Sequence, residues 1–170
     1  EQLRAVNPGI IMVRVSGYGQ TGPYAKKAGY AAVGEAMGGL RHVVGYPDRP
    51  PSRVGVSIGD SIAATFAALG ALAALHERTV SGEGQVVDAT IYESVLAYME
   101  SMLPEYAVAG HIRGRTGTSL ANVAPSNLYP TSDGTGILIA GNQDGVFRRL
   151  AKAMGAPELA EDERYSTHIA

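Results

Sequence analysis

The chain has 170 residues, of which 45% are hydrophobic and 18% charged, and its 14 basic and 16 acidic side chains give a net charge of −2. This composition excludes an intrinsically disordered chain, and the near-neutral balance provides no basic surplus for a nucleic acid or an anionic membrane. Because cysteine is absent, there is no disulfide framework, thiolate metal site or cysteine nucleophile. The sequence shows no charged segment followed by an apolar run, so it predicts no signal peptide.

The first part of the chain predicts a strand, a turn and a short helix. The β-branched run Ile10–Val15 is typical of a buried strand. A glycine-rich turn follows over Gly17–Pro23, and the spacing predicts a helix over Tyr30–Met37 that ends at two glycines. The proline-rich segment Tyr46–Pro51 predicts a loop.

Residues 61–78 carry the clearest helical pattern. Large apolar side chains recur there at helical spacing, with alanines between them: Ile62, Phe66, Leu69, Leu72 and Leu75. The uncharged run Ser61–Leu75 is shorter than the ~20 residues that span a bilayer. We therefore expect a buried core helix with these large side chains in the core.

The second half of the chain predicts further strands and helices. We expect a strand over Gln85–Thr90 and one long helix over Ile91–Ala109, which Pro104 bends or interrupts and Gly110 ends. A polar loop then runs from His111 to Gly117. A hairpin over 129–139 turns at residues 132–134, and an amphipathic helix covers 144–154.

A glycine motif follows the first predicted strand. Residues 17–22 match G-x-G-x-x-G, the pattern of a dinucleotide-binding turn, so a nicotinamide-dependent oxidoreductase is one hypothesis. That hypothesis requires a helix directly after Gly22, but Pro23 and two lysines follow, and no acidic residue ends a second strand about 20 residues on. The other interpretations are a plain tight turn and a loop whose N–H groups approach a ligand.

Asp60 lies between Gly59 and the predicted core helix. A purely structural interpretation makes it the N-cap, whose carboxylate accepts a backbone N–H of the first turn. A functional interpretation uses the same place, because the helix dipole favours an ionised carboxylate and Gly59 leaves room beside it. Such a carboxylate can attack an activated acyl group. The two interpretations are compatible.

The remaining candidate residues favour structural roles. The histidines, His42, His76, His111 and His168, have no second ligand at metal spacing, so we expect no metal site. Arg113 and Arg115 could hold a carboxylate or phosphate, although basic loop residues are more often solvated. Asp133 and Asp144 stand at a predicted turn and a predicted helix start, where a structural role is sufficient.

Several segments together carry a family resemblance. They are residues 7–24, with Ser16-Gly17-Tyr18-Gly19-Gln20 at their centre, 28–40, 51–60, 70–88 and 117–142. In this order they resemble the class III CoA-transferase family, of the formyl-CoA transferase and carnitine-CoA transferase type. No single segment is specific, but the ordered set covers nearly the whole chain.

The resemblance implies a function for these segments. It implies that Asp60 is the catalytic nucleophile and forms an aspartyl anhydride and then an aspartyl-CoA thioester. It also implies that Ser16, Gly17, Tyr18, Gly19 and Gln20 lie beside the acyl or CoA group, and that Gly117 belongs to a glycine loop covering the intermediate. The substrates would be a CoA thioester and a free carboxylic acid, with no permanently bound cofactor and no metal.

Acyl-CoA racemases of the same superfamily are an alternative. They use a histidine and an aspartate as an acid/base pair, with the histidine in a Gly-His-Asp segment. This chain has Gly29-Tyr30-Ala31 in that place and no histidine before His42, which favours the transferase. Ala64 stands where many members of the family have glycine, so the acyl pocket differs there.

The resemblance also implies an architecture. We expect an α/β fold in which residues 1–110 form the later part of a Rossmann-like large domain. Residues 111–170 would be a linker and the beginning of a smaller α+β domain. Members of the family are interlocked homodimers, so we expect an internal piece of a longer, cytoplasmic, homodimeric enzyme that binds neither nucleic acid nor membrane.

Overall fold

The computed structural model describes residues 1–165, so His168 lies outside the described residues. The chain forms two compact units. The first contains residues 1–44 and 50–115, and the second contains residues 45–49 and the chain from 116 onward. The division after Arg115 differs from the sequence-based boundary at 110/111, and the short segment 45–49 belongs with the second unit.

The first unit mixes helices with two strands. In chain order its elements are α1 (Gln2–Val6), β1 (Met12–Ser16), α2 (Ala31–Met37), α3 (Leu40–Val43), α4 (Ile58–Ser81), β2 (Val86–Thr90), α5 (Ile91–Ala97) and α6 (Met102–Ala109). The strands and the helix before the two glycines agree with the sequence pattern. The short helices α1 and α3 were not predicted from it.

The two strands are parallel neighbours, and α4 is part of the connection between them. Met12 pairs with Val86 and Ser16 pairs with Thr90. Helix α4 runs antiparallel to the strands, because Gly59 near its start packs against Ile91, whereas Arg78 near its end bonds to the Gly9 carbonyl. A helical crossover between parallel strands is the α/β arrangement, so the predicted fold class is confirmed.

The buried face of α4 contains only one of the five large side chains expected in the core, Ile62. Its buried residues are mostly small: Gly59, Ile62, Ala63, Ala67 and Ala74. The leucines are exposed, by 56% at Leu69 and 63% at Leu72. A Cβ added at Gly70 would lie 2.5 Å from the Val87 side chain, so only small residues let the helix approach β2 this closely. The prediction of a leucine-lined core face is therefore wrong.

By length and composition, α4 could also cross a membrane. It has 24 residues, and 28% of its most apolar window is buried in the first unit. The uncharged run Ser61–Leu75 is too short for a bilayer, but the helix continues beyond that run at both ends. The core helix of a soluble protein can have the same length and composition.

The predicted long helix over 91–109 is two helices. Helix α5 ends at Ala97 and α6 begins at Met102. Glu100 adopts a positive φ of 52°, which is incompatible with a continuous α-helix and explains the break. Pro104 lies in the first turn of α6, where a missing N–H breaks no helical hydrogen bond. The proline therefore does not cause the interruption.

The second unit contains a hairpin and a helix. Its elements are β3 (Ser126–Pro130), β4 (Gly136–Ala140), α7 (Asp144–Ala153) and a 3₁₀ turn (Pro157–Ala160). The strands are antiparallel, as the hairpin pattern predicted. Hydrogen bonds from Thr131 and Thr135 hold the Asp133 carboxylate in the turn and lower the pKa of that group to about 2. The structural role expected for Asp133 agrees with these contacts.

Candidate active site

The carboxyl ends of β1 and β2 lie side by side at Ser16 and Thr90. We call the region around this end of the sheet the carboxyl edge; it comprises residues 16–22, 29–31, 58–60 and 88–93. In open α/β sheets, ligands bind outside the carboxyl ends of the strands. The predicted site residues other than Gly117 belong to this edge.

Asp60 lies in the first turn of α4 and is exposed. The helix begins at Ile58 with Ser57 in the N-cap position, so the interpretation of Asp60 as the N-cap is wrong. Within residues 1–165, no hydrogen bond or ion pair engages its carboxylate. Since the first-turn N–H groups and the helix dipole favour negative charge there, Asp60 is an accessible carboxylate in a favourable field.

Gly59 brings the starts of other helices close to Asp60. A Cβ added at Gly59 would lie 3.3 Å from the Ala31 carbonyl oxygen and 3.1 Å from the Ile91 side chain. Ala31 begins α2 and Ile91 begins α5. The starts of three helices therefore lie near Asp60, and the N–H groups in the first turn of a helix favour an anion.

The glycine turn after β1 is held by two side chains. The Ser16 hydroxyl accepts the Gly19 N–H at 3.0 Å, and the Asp88 carboxylate accepts the Gln20 N–H at 2.7 Å. The Gln20 amide also points to the Ser16 hydroxyl, at a longer 3.4 Å. The polar groups of Ser16 and Gln20 thus shape the turn itself.

Tyr18 projects from this turn into an aromatic cluster. Its ring lies edge-on to Tyr24 at 5.4 Å between centroids and 6.0 Å from the Tyr92 ring. A Cβ added at Gly29 would lie 3.1 Å from the same ring. The Lys27 ammonium lies 3.9 Å from the Tyr24 ring centroid, which places a cation near the turn.

Thr90 caps the helix that leaves the carboxyl edge. Its hydroxyl accepts the Glu93 N–H at 3.2 Å and donates to the Glu93 carboxylate at 2.6 Å. The Tyr92 hydroxyl donates to the other Glu93 oxygen at 3.1 Å, and this bond raises the pKa of Tyr92. The hydroxyls of Thr90 and Tyr92 therefore engage both carboxylate oxygens of Glu93.

Gly117 belongs to the second unit, where residues 45–49 hold it. Its N–H donates to the Gly45 carbonyl at 2.9 Å, and its φ is 66°. A Cβ added there would lie 2.7 Å from the Tyr46 ring. A glycine is therefore required both by the backbone conformation and by the neighbouring ring.

The two candidate arginines are engaged within the first unit. Arg113 donates to Glu100 at 2.7 Å, to Ser101 at 2.8 Å and, through two nitrogens, to Glu105. This pairing lowers the pKa of Glu105 to about 2. Arg115 donates to the His42 carbonyl. The expectation of a solvated Arg113 is wrong, because its guanidinium holds the chain after α6 against the start of that helix.

Other possible sites are less well supported. Among residues 1–165, no cluster of His, Cys, Asp and Glu could hold a metal ion. No helix directly follows Gly22, since α2 begins only at Ala31, which argues against the nicotinamide hypothesis. The second unit has an apolar cavity of about 1060 Å³ lined by residues such as Tyr129, Phe147 and Leu150, but by none of the predicted site residues.

Comparison with known proteins decides the family. The profile of CoA-transferase family III matches residues 1–170. The chain belongs to this family. It is 66% identical over 170 residues to a Chloroflexus aurantiacus protein named succinyl-CoA–D-citramalate CoA-transferase, covering all of this chain and 42% of that protein. The predicted family resemblance is confirmed.

Two further relatives match this chain over a similar extent. The alpha subunit of the Chloroflexus aurantiacus succinyl-CoA–L-malate CoA-transferase is 43% identical over 164 residues, which are 96% of this chain and 38% of that protein. A crystal structure of a CaiB/BaiF family protein from Brucella suis is 34% identical, with a TM-score of 0.81 over 98% of this chain and 44% of that one. The chain spans about two fifths of the length of these relatives.

Two residues of the carboxyl edge make contacts that the sequence pattern does not predict. The pattern predicts only a strand for Asp88 and Thr90. The pattern Thr-x-x-Glu at 90–93 is a capping box and could have been recognised. The contact of Asp88 with Gln20 has no local signal, because it joins residues 68 positions apart.

Proposed function

We propose that the full-length protein is a CoA-transferase that moves CoA from an acyl-CoA to a free carboxylic acid, with Asp60 as the nucleophile. One observation carries this proposal. The Asp60 carboxylate is exposed, has no hydrogen-bond partner among the described residues, and lies in the first turn of α4 at the carboxyl edge. A carboxylate left unpaired where three helices start is suited to attack an electrophile.

The first half-reaction forms an anhydride and then a thioester. Asp60 attacks the thioester carbonyl carbon of the donor, the C–S bond breaks, and CoA leaves as the thiolate. The thiolate then attacks the Asp60 carbonyl, and the donor acid departs with the electron pair of the anhydride C–O bond. Asp60 is left as an aspartyl-CoA thioester, and no oxidant or metal is required.

The second half-reaction reverses these steps on the acceptor. The acceptor carboxylate attacks the Asp60 thioester carbonyl and expels the CoA thiolate, which gives a new anhydride. The thiolate attacks the acceptor carbonyl of that anhydride, so the acceptor leaves as its CoA thioester and Asp60 regains its carboxylate. Each attack develops an oxyanion that backbone N–H groups stabilise.

The glycine segments would supply substrate contacts. We propose that the 17–22 turn lies along the acyl or CoA group, with Tyr18 nearest to it and Ser16, Gly19 and Gln20 setting its shape. We also propose that the segment around Gly117 covers the intermediate in the full-length enzyme. Neither glycine can carry a side chain without a close contact, at Gly29 for Gly17 and at Tyr46 for Gly117.

The relatives suggest a class of substrate. The names of three of them give succinyl-CoA as donor and citramalate, malate or glutarate as acceptor. We propose that this enzyme transfers CoA from succinyl-CoA to a small dicarboxylic acid, with citramalate the first acceptor to assay. The full-length enzyme would be a cytoplasmic homodimer that binds neither nucleic acid nor membrane, as the family resemblance implies.

Trapping the covalent intermediates tests the proposal. The full-length enzyme is incubated with succinyl-CoA and hydroxylamine, which converts an activated Asp60 into a stable hydroxamate, and the adduct is mapped by mass spectrometry. We expect the adduct on Asp60 only when succinyl-CoA is present. Asp60→Asn should lower turnover by roughly 10³-fold or more, since the amide is a poor nucleophile.

A matched carboxylate on the same helix serves as control. Glu77 is exposed near the opposite end of α4. The Glu77→Gln enzyme should form the Asp60 hydroxamate and turn over as the wild type does. An unmodified Asp60, together with normal turnover in Asp60→Ala, would contradict the mechanism. A racemase would instead exchange the proton next to the thioester with solvent deuterium, and we expect no such exchange.

A further inference from the structure

The glycine turn at the carboxyl edge is held from the second strand. The Asp88 carboxylate on β2 accepts the Gln20 N–H at 2.7 Å, across 68 positions of sequence. A Cβ added at Gly19 would lie 3.3 Å from the same carboxylate oxygen, so the missing side chain lets Asp88 approach the turn. A hydrogen bond to an ionised acceptor is about twice as strong as a neutral one.

Close backbone contacts connect this turn to the helix of Asp60. A Cβ added at Gly17 would lie 2.6 Å from the Gly29 Cα, so these segments touch without side chains between them. Two residues further on, Ala31 contacts Gly59, the residue before Asp60. A displacement of the turn would therefore pass through the start of α2 to the start of α4.

Asp88 contributes little to the stability of the fold. Both Asp88 and Gln20 are exposed, so water can replace either partner when the hydrogen bond is removed. The bond restricts where the turn lies without being needed for folding. This separates Asp88 from the buried contacts of the same edge, whose loss would destabilise the whole unit.

We propose that Asp88 is a positioning residue for CoA transfer. It holds the 17–22 turn in place by accepting the Gln20 N–H. This inference rests on the proposed function at Asp60. In this proposal Asp88 acts through the turn and not on the reacting atoms. The turn must be in place when the oxyanion develops, so its loosening should affect kcat more than KM.

Two variants of the full-length enzyme test the inference. Asp88→Ala should lower kcat by roughly 10- to 100-fold, because small displacements of a positioning group have effects of this size. The KM for succinyl-CoA should change by less than about threefold. Asp88→Asn keeps an oxygen that can accept the Gln20 N–H, so it should recover most of the lost kcat.

Hydrogen exchange reports on the turn directly. Amides of the peptide covering residues 17–23 should exchange faster in Asp88→Ala than in the wild type, with Asp88→Asn close to the wild type. Glu83→Ala is the matched control: Glu83 precedes the same strand at its other end and pairs with Arg4 at 2.8 Å on the surface. It should leave kcat and the exchange of this peptide unchanged.

Several results would overturn the inference. The first is a kcat of Asp88→Ala within about twofold of the wild type. The second is an equal loss of kcat in Asp88→Ala and Asp88→Asn. The third is a rate of amide hydrogen exchange over residues 17–23 that does not change in Asp88→Ala. If wild-type Asp60 forms the hydroxamate while Asp88→Ala stays fully active, only the positioning role fails. If no adduct forms on Asp60, the proposed function fails, and the exchange rates still decide whether Asp88 holds the turn.

Discussion

At both ends of the β1–β2 sheet a glycine allows two backbone segments to touch, but this close contact serves a different purpose at each end. At the amino edge, which we define as residues 8–10, 78 and 82–85, a Cβ added at Gly84 would lie 1.8 Å from the Ile10 carbonyl oxygen. At the carboxyl edge, a Cβ added at Gly17 would lie 2.6 Å from the Gly29 backbone. Both ends therefore need glycine for close approach of two backbone segments.

The edges differ in what their charged groups contact. At the amino edge the Arg78 guanidinium donates to the Gly9 carbonyl at 3.0 Å, and nearby Arg4 pairs with Glu83. At the carboxyl edge Asp88 holds the turn, whereas Asp60 has no partner among the described residues. Close packing at the amino edge thus stabilises the fold. At the carboxyl edge it also surrounds Asp60, a carboxylate without a partner among the described residues.

Among the tests of this contrast, the largest expected effect is on activity, from Gly17→Ala at the carboxyl edge. The new methyl group must displace the Gly29 backbone, which moves the turn and the start of α2. Transfer activity of the folded enzyme should fall by roughly 10²-fold. Steady-state kinetics on full-length enzyme, corrected for the folded fraction, measure this. Gly114→Ala, where an added Cβ meets open space, should keep wild-type activity.

The same steric change at the amino edge should affect stability alone. Gly84→Ala places a methyl group against the Ile10 backbone, so we expect a loss of about 3 kcal/mol in the free energy of unfolding, the upper part of the usual range for overpacking. Urea denaturation measures it. Gly82→Ala adds a Cβ in open space at a φ of 75° and should cost only about 1 kcal/mol.

Activity of the folded Gly84→Ala enzyme decides whether the edges truly differ. We expect it to equal the wild type, because neither the turn nor Asp60 contacts residue 84. A loss of transfer as large as that of Gly17→Ala would show that the two edges are mechanically coupled, and the contrast between them would be withdrawn.

Arg78 should have an intermediate effect. Arg78→Met keeps much of the apolar stem but removes the hydrogen bond to the Gly9 carbonyl, so stability should fall by about 1.5 kcal/mol. Arg4→Met removes an exposed ion pair and should cost less than about 0.5 kcal/mol. Urea midpoints of both variants test this ordering. Equal midpoints would mean that the amino edge gains nothing from its partly buried arginine.

The smallest effect concerns the charge network at the start of α6, which lies outside both edges. The Arg113 guanidinium lowers the pKa of Glu105 from 4.5 to about 2. A depressed carboxylate pKa contributes stability that is present above about pH 4.5 and is lost as the pH falls toward 2. The stability difference between wild type and Glu105→Gln should therefore shrink across this range. A difference that is constant from pH 6 to pH 2.5 would contradict it.

Local patterns were sufficient for most elements of the chain. The β-branched run before Ser16, the two glycines after Met37 and the turn around Asp133 each specify their structure through neighbours a few residues away. Asp60 was recognised from its place before an apolar helix and from the ordered motifs around it. Its role as nucleophile remains a prediction that the trapping experiment tests.

Long-range contacts explain what the patterns missed. The spacing of apolar residues in α4 predicts a helix, but both the alanines and the leucines recur at that spacing. The spacing therefore does not decide which of the two faces is buried. Only the approach to β2 selects the small face, because a Cβ at Gly70 would meet Val87. The pairing of Arg113 with Glu100 likewise joins residues 13 positions apart, beyond the next helical turn.

The amino-acid sequence therefore contained the element types, the α/β class, the family and the carboxylate at the start of α4. Packing supplied the rest: which face of α4 is buried, that Ser57 and not Asp60 takes the N-cap position, and that Asp88 reaches Gln20. The physical reason is the distance along the chain over which each effect acts. Propensity and periodicity act over about four residues along a helix, whereas a contact across 68 positions exists only after the strands have come together.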